Sequence, residues 1–547
     1  MSAPDFVRVA ALSDLAEGEM KQVSADGTDL LLSRVDGAVH ACTAFCTHYG
    51  APLATGVLSG TRVVCPWHHA VFDVASGALC EPPAPDALRT FEVEIRDGDV
   101  YVRVPDDADE HGKDVPYRAS DGELPDMASP TIGELGVDAA TVAIVGGGAA
   151  ANAAVEELRA QAFRGRIVLV TRETHAPYDR TKLSKGVLSG AAGADALPLR
   201  DGSFYERHGI EVWSDRTVTG IDAAAHRVEF DSGEPLAYDA CLVATGGTPR
   251  RLSVPGSDLD GVYTLRSWED ALEVAGAAED ARSAVVIGSS FIGMEAASNL
   301  ADRGLEVTVV GRDAVPFENV LGEDVGRVFQ RAAEAKGVTF RLGVALESIE
   351  RGEDGLVVSL DASGSHEADL VLMGVGVTPA TEFLDGATFR RDDGGLLTNG
   401  QLQLADGLWA AGDVAAYPDA RTGETVRIEH WRLAQQQGRT AARNIASELA
   451  DGAAEAFDAV PFFWTGQFGL SLRYVGHAED WDDVVVDGSI EEPSFLAYYL
   501  HEGAVRAVAA VGRDQDAAAL HLLMMRGDAP SADAVRDGFD PQAALAA

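Results

Sequence analysis

The sequence predicts a multidomain chain: an all-β domain at the N-terminus, two α/β nucleotide-binding domains, and a small α+β domain at the C-terminus. Three observations point there. Residues 1–104 alternate apolar and polar side chains between Asp-Gly and Ser-Gly turns, which is a strand-and-hairpin pattern. From Thr141 onward a strand, glycine turn, helix and strand appear in succession twice, the pattern of βαβ units. A length of 547 residues is more than one hydrophobic core sustains.

In the first segment, LLLSRVDGAVHAC, RVVCPWHHAVFD and LRTFEVEIRDGDVYVRV read as strands. Residues 105–139 are acidic, rich in Pro, Asp, Gly and Ser and poor in aliphatics, and read as a linker. TVAIVGGGAAANAAVEELRAQ with RIVLVT is the first βαβ unit, and SAVVIGSSFIGMEAASNLADRG with EVTVVG is the second. Over 456–547, short strands (SFLAYYLHEG, VRAVAAVG) precede a helix (AAALHLLMMRG), giving the α+β end.

Two cysteines and two histidines stand out near the front, as Cys46-x-His48 and Cys65-x-x-His68, with 16 residues between the motifs. Two thiolates and two imidazoles could hold zinc. They could equally hold a Rieske [2Fe–2S] cluster, with Cys46 and Cys65 on one iron and His48 and His68 on the other. Zinc knuckles more often use Cys-x-x-Cys pairs, whereas here each loop offers one thiol and one imidazole. His69 reads as a loop-packing or solvent-facing neighbour. Five cysteines in a chain whose start lacks a basic and an apolar signal region do not suggest a disulfide framework.

The first glycine turn, Gly146-Gly147-Gly148-Ala149-Ala150-Ala151, fits G-x-G-x-x-A. Gly146 makes the turn, Gly148 lets a pyrophosphate approach the backbone, and Ala151 lets the helix meet the strand. Such turns keep an acid after the second strand for the ribose. Thr171 and Arg172 intervene, and Glu173 is the match. The second turn runs Gly288-Ser289-Ser290-Phe291-Ile292-Gly293, with Ser290 in place of the middle glycine. After its second strand an NADH enzyme has an acid, but Gly311 and Arg312 stand here. A guanidinium suits a 2′-phosphate, so the expectation leans to NADPH.

CTHYGAPLATG (46–56) and CPWHHAVFDVASG (65–77) resemble the two cluster-binding loops of Rieske ferredoxins. Ala51 and Trp67 stand where high-potential Rieske proteins carry an extra disulfide, so the resemblance is to the lower-potential branch. Cys42 and Cys80 are expected to be small buried thiols. PYDRTKLSK (177–185), CLVATGGTPR (241–250), GLWAAGDVAAYP (407–418), EHWRLAQQQGRTAA (429–442) and PFFWTGQFGLSLRYVG (461–476) resemble the FAD-dependent ferredoxin reductases. With the N-terminal module, the chain is similar to Rieske-containing apoptosis-inducing-factor-like proteins over about residues 30 to 480. Thr181 departs from the usual proline of its motif.

The resemblance implies that 1–104 is a Rieske domain, 140–265 and 386–455 form a Rossmann-like FAD-binding domain in two parts, and 266–385 is the Rossmann-like NAD(P)H-binding domain. It places Ala244, Thr245 and Gly246 along FAD and gives Asp413 a hydrogen bond to the ribityl chain. Arg180 and Lys185 fall near the flavin, with Lys185 paired to Glu295 beside the flavin N5. A cation there stabilises the charge of reduced flavin. Glu429 and Trp464 are expected at the flavin–nicotinamide face, and Val218 at the adenine. Lys185, Glu295 and Trp464 are the expected catalytic residues. Residues 152–240 contain no cysteine, so the dithiol relay of the related disulfide reductases is excluded.

The expected function is therefore an NAD(P)H oxidoreductase in which FAD passes electrons to a [2Fe–2S] cluster in the same chain and on to an external acceptor. The competing readings are an NAD(P)H oxidase and a slow-turnover redox sensor. A nitrite-reductase role is disfavoured, because no cysteine set for sirohaem is present. Net charge is −44, with Lys only at 21, 113, 182, 185 and 336. That charge argues against a nucleic-acid partner and suggests a halophilic cytoplasm, where salt screens self-repulsion. A GC-rich genome that favours Asp and Arg is the plainer explanation. No membrane span is expected, and the chain is expected to be a monomer or homodimer.

Overall fold

The computed structural model describes residues 6–105, 139–353, 355–362 and 364–546. The expected linker at 105–139 falls almost wholly outside them.

The N-terminal domain is two antiparallel sheets. The larger runs Phe6–Ala11, Asp99–Arg103, Thr90–Arg96, Ala38–Thr43, Thr28–Val35, Met20–Ala25 in spatial order. The smaller runs Val57–Ser59, Arg62–Val64, Val71–Asp73, Leu79–Glu81. Strand alternation sends Leu30 and Leu32 to one core and Leu31 to the other. The two cysteine loops hang from these sheets: one follows Ala38–Thr43, and the other joins Arg62–Val64 to Val71–Asp73.

The first nucleotide-binding sheet has the order Ile210–Trp213, Arg166–Val170, Thr141–Val145, Ala240–Val243, Leu408–Ala410, Gln403–Ala405. Its first five strands are parallel, and the apolar runs of all but the edge strand Ile210–Trp213 are buried, as a sheet covered on both faces requires. The second sheet is wholly parallel: Val262–Thr264, Leu370–Met373, Ser283–Ile287, Glu306–Val310, Thr339–Arg341. Val262–Thr264 thus belongs to the second sheet, although the sequence reading kept it in the first. The chain crosses between the two through the antiparallel pair Gly247–Pro249 and Val377–Pro379. A short strand pattern without periodicity offers no sign of which sheet will claim it.

The C-terminal domain is a five-stranded antiparallel sheet followed by helices Asp514–Arg526, Ala532–Arg536 and Pro541–Ala546. One face of that sheet packs on the second nucleotide-binding domain. The N-terminal domain is docked against the rest. Val57, Val64 and Val71 of its smaller sheet pack on Ala518 and Leu522 of the helix Asp514–Arg526. Arg200, 4% exposed, ties Asp86 and the Pro85 carbonyl to Glu156. Arg432, fully buried, donates to the Pro82 carbonyl.

Candidate functional site

The two cysteine loops have matching local geometry. In each, the cysteine N–H bonds the carbonyl of the residue five on (Cys46 to Ala51, 2.9 Å; Cys65 to Ala70, 2.8 Å), and its own carbonyl accepts from Gly50 or His69. His69 closes its turn at φ 56°. The amides of His48 and Tyr49 point at the Cys46 sulfur, and those of Trp67 and His68 at the Cys65 sulfur. His48 Nδ1 and His68 Nδ1 face each other at 3.0 Å.

Burial pushes the Cys46 thiol well above its ordinary range. Cys65, equally buried, is held below it by a hydrogen bond from Cys46 and by the loop amides. Burial drops His48 to about 4 and His68 well below 6.5. Neutral imidazoles and amide-supported sulfurs are what iron ligation needs. The four side chains form a thiol pair and an imidazole pair. Among the described residues no three or more His, Cys, Asp and Glu side chains group to hold a single metal ion. Two pairs fit a two-iron cluster better than one tetrahedral zinc.

Cys42 is buried and pushed up to about 12 by burial. Cys80 is only half-buried, so its burial was overestimated from sequence. His69 is no solvent-facing residue: it is fully buried, stacked on Phe462, with Nδ1 2.8 Å from His521 Nδ1.

Next to the histidines opens a cavity of about 1010 Å³ between the two nucleotide-binding domains, large enough for a dinucleotide and a second ligand. Gly146, Gly148, Glu173, Arg180, Lys185, Val218, Ala244, Thr245, Gly246, Ser290, Glu295, Asp413, Glu429 and Trp464 all line it. Gly146 sits at φ 131°, where a Cβ would lie 2.1 Å from the Ala244 carbonyl oxygen. Gly288 does the same at φ 113°, 2.2 Å from the Gly374 oxygen. At Gly148 a Cβ would meet nothing and would fill the space a pyrophosphate needs. His430 Nδ1, in the same wall, is buried without a partner. These features fit a bound dinucleotide.

Four predicted residues, Ala151, Gly288, Gly293 and Arg312, do not line the cavity. Ala151 is a buried residue of the helix Ala149–Ala160, and Gly293 packs its Cα against the Gly288 carbonyl, so these two set the turns from behind, while Gly288 makes its turn outside the lining. Arg312 is exposed and does not line the cavity, although Gly311 before it packs on Ser289.

At the centre, Glu295 is 3% exposed and accepts from Lys185 Nζ at 2.7 Å, Ser184 Oγ at 2.6 Å and Thr465 Oγ1 at 2.6 Å. Lys185 lies in a π-helical turn, Leu183–Val187, a form common at functional positions. Glu173 bonds Arg180 and Tyr178, Asp413 bonds Arg266, and Glu429 bonds Arg427. Sequence reasoning missed Ser184, Thr465, Arg266 and Tyr178. Ser184 and Thr465 adjoin named residues, and that adjacency was the available signal.

Trp464 joins the two sites. It lines the cavity, and its ring centroid lies 4.5 Å from that of His68 and 6.0 Å from that of His48. Tyr49 of the first loop donates to Asp179 at 2.9 Å, on the segment that carries Arg180 and Lys185.

Residues 140–438 match the pyridine nucleotide-disulphide oxidoreductase family, 5–92 the Rieske [2Fe-2S] domain, and 462–546 the reductase C-terminal domain. Apoptosis-inducing factor 3 of Homo sapiens is 37% identical over 520 residues, covering 94% of this chain and 83% of that one. The ferredoxin–NAD(+) reductase component of the biphenyl dioxygenase system of Paraburkholderia xenovorans is 31% identical, covering 73% and 96%. The crystal structure of the ferredoxin reductase for the CYP199A2 system from Rhodopseudomonas palustris superposes with a TM-score of 0.70 at 30% identity, covering 74% and 99%.

Proposed function

Because the chain belongs to the pyridine nucleotide-disulphide oxidoreductase family, with a Rieske [2Fe-2S] domain ahead of it and a reductase C-terminal domain after it, we propose that it is an NAD(P)H-dependent reductase that delivers electrons to its own docked cluster domain and from there to an external acceptor. The observation that carries this is Trp464, which lines the flavin cavity and touches both histidines of the cluster loops.

FAD, when bound, converts the two-electron nicotinamide donor into single-electron steps that a [2Fe–2S] cluster can carry. Cys46 and Cys65 would hold one iron, His48 and His68 the other. The open turn at Gly148 would receive the FAD pyrophosphate, and Arg180, Val218, Ala244, Thr245, Gly246 and Asp413, which line the cavity, would hold the rest of that ligand. The ammonium of Lys185, fixed by buried Glu295, places a cation at the centre of the cavity, where reduced flavin gathers negative charge. Gly288, Ser290 and Gly293 form the second turn for NAD(P)H. The lean to NADPH rests on the Arg312 side chain alone, which is exposed on the loop after strand Glu306–Val310, outside the cavity, and would meet a 2′-phosphate there.

Relatives named as ferredoxin or rubredoxin reductases support a redox protein or an oxygenase as that acceptor. Among the described residues no helix is long and apolar enough to cross a membrane. The charge of −44 supports a salt-rich cytoplasm, tested by unfolding midpoints from low to molar KCl; stability independent of salt would contradict it. The chain would work as a monomer or homodimer.

The test of the function is acceptor reduction by the wild type and by Cys65→Ser, with NADH and NADPH. The variant is expected to keep flavin reduction and lose one-electron acceptor reduction. Equal rates would place the electron exit at the flavin, and negligible turnover with every acceptor would favour a sensor.

A further inference from the structure

Arg473 is a buried cation with too few partners. It lies on the strand Leu470–Gly476, directly across from Trp464 on the strand Phe462–Gln467, so the two side chains share a face of the sheet. It is 6% exposed. Nε has no hydrogen-bond partner, Nη1 reaches only the Leu472 carbonyl at 3.4 Å, and Nη2 is 3.6 Å from Asp514. Burying a guanidinium so loosely paired carries a desolvation cost, and that cost calls for a compensating negative charge nearby. The second cluster loop supplies one. Trp464, the cross-strand partner of Arg473, packs on His68 of that loop with ring centroids 4.5 Å apart, so the guanidinium is held on the sheet face that the loop covers.

Other charges face the same place. Lys182 lies over the ring of Tyr49, 5.7 Å from its centroid, and Tyr49 donates to Asp179; Arg432 lies over Phe462, 6.0 Å from the centroid of the ring that stacks on His69; Lys185 and Trp464 line the same cavity. In a chain of net charge −44 with five lysines, two of those lysines and two buried arginines gather here. Two ferric ions, two sulfides, two thiolates and two neutral imidazoles sum to no net charge, and one added electron makes the group an anion.

We propose that Arg473 is a positioning residue that sets the redox poise of the docked cluster: a fixed positive charge, supplied by the C-terminal domain to the Cys65–His68 loop, that stabilises the reduced form. The N-terminal domain then reaches its working potential only when docked, which ties electron uptake to the docked arrangement. This rests on the cluster reading above.

The test is a redox titration of full-length protein, followed by low-temperature EPR of the cluster, on the wild type, Arg473→Gln, Arg473→Lys and Asp514→Asn. Arg473→Gln is expected to lower the ratio of reduced to oxidised cluster at fixed potential by roughly tenfold, equal to about 59 mV for one electron. Arg473→Lys should stay near the wild type, and Asp514→Asn should shift the opposite way, because it removes the opposing carboxylate. A wild type without a Rieske-type signal would remove the cluster reading and this inference with it. A normal wild-type signal with an unmoved midpoint in Arg473→Gln would overturn this inference alone. Shifts of one sign in all three variants would mean general loosening of the interface, and would also overturn it.

Discussion

The indole of Trp464 packs on the imidazole of His68 with ring centroids 4.5 Å apart and the planes tilted by 55°. One residue belongs to the C-terminal sheet and the other to a loop of the N-terminal domain, 396 positions earlier in the chain (464 − 68). Their contact is where the two halves of the proposed electron path meet.

Trp464→Ala opens a gap between cavity and histidines. It is expected to leave NAD(P)H-driven flavin bleaching intact and to slow cluster reduction by roughly tenfold or more, the scale on which a displaced reacting group is felt. Trp464→Phe, which keeps an aromatic ring in place, should recover most of the rate. Stopped-flow absorbance at flavin and cluster wavelengths separates the two phases.

Lys185 and Glu295 act as a pair. Lys185→Met removes the cation from the cavity and leaves Glu295, 3% exposed, with two hydroxyl donors only. Flavin reduction is expected to slow by roughly 100-fold, as when one preorganised donor is lost at a charge-developing centre. Glu295→Gln should free the ammonium to move and cost less. A double variant whose loss equals the sum of the single losses would show that the two do not act together.

Arg200 holds the docked arrangement. Its side chain is 3% exposed and bonds Asp86 and Glu156, whose side chains are about one-fifth exposed. Arg200→Ala leaves two half-buried carboxylates facing each other and is expected to destabilise the protein by about 3–5 kcal/mol. Denaturant unfolding measures this; a loss below about 1 kcal/mol would mark the bridge as surface-like.

Acid should weaken the fold. Burial holds His430 down to about 3, and His69 and His521 well below 6.5. The unfolded chain binds a proton at each near pH 6.5 while the native chain does not, so the unfolded state holds more protons below that pH and stability falls as pH falls. Their contribution is complete above about pH 6.5. It is lost as pH drops towards the native values, by about 1.4 kcal/mol per pH unit for each proton. Melting temperatures at pH 7.5, 6 and 5 check this, and a flat profile would contradict it.

Much of this was legible in the sequence because the chemistry is local. Cys46 and His48, or Gly146 and Gly148, lie within a few residues of each other, so spacing alone states the loop or turn. Lys185 and Glu295 meet across 110 positions (295 − 185), and only the resemblance to ferredoxin reductases put them together. The docking of the N-terminal domain was not legible. Arg200, His521 and Arg473 read as ordinary polar residues of a loop, a helix and a strand, and their partners come from distant segments. Ala151, Gly293 and Arg312 show the limit of motif reading: the first two shape a turn from behind it, and the third sits exposed beyond the cavity.

The central claim is a path from nicotinamide through flavin to a cluster in one chain. The most direct measurement is anaerobic addition of NADPH or NADH to the purified protein in high salt, with flavin absorbance and low-temperature EPR recorded together. The account expects a Rieske-type signal to grow as the flavin bleaches, with iron and sulfide in equal amounts. Bleached flavin with no such signal, or zinc in place of iron, would contradict it and leave the Cys46–His68 motif a structural site on a simple flavoprotein.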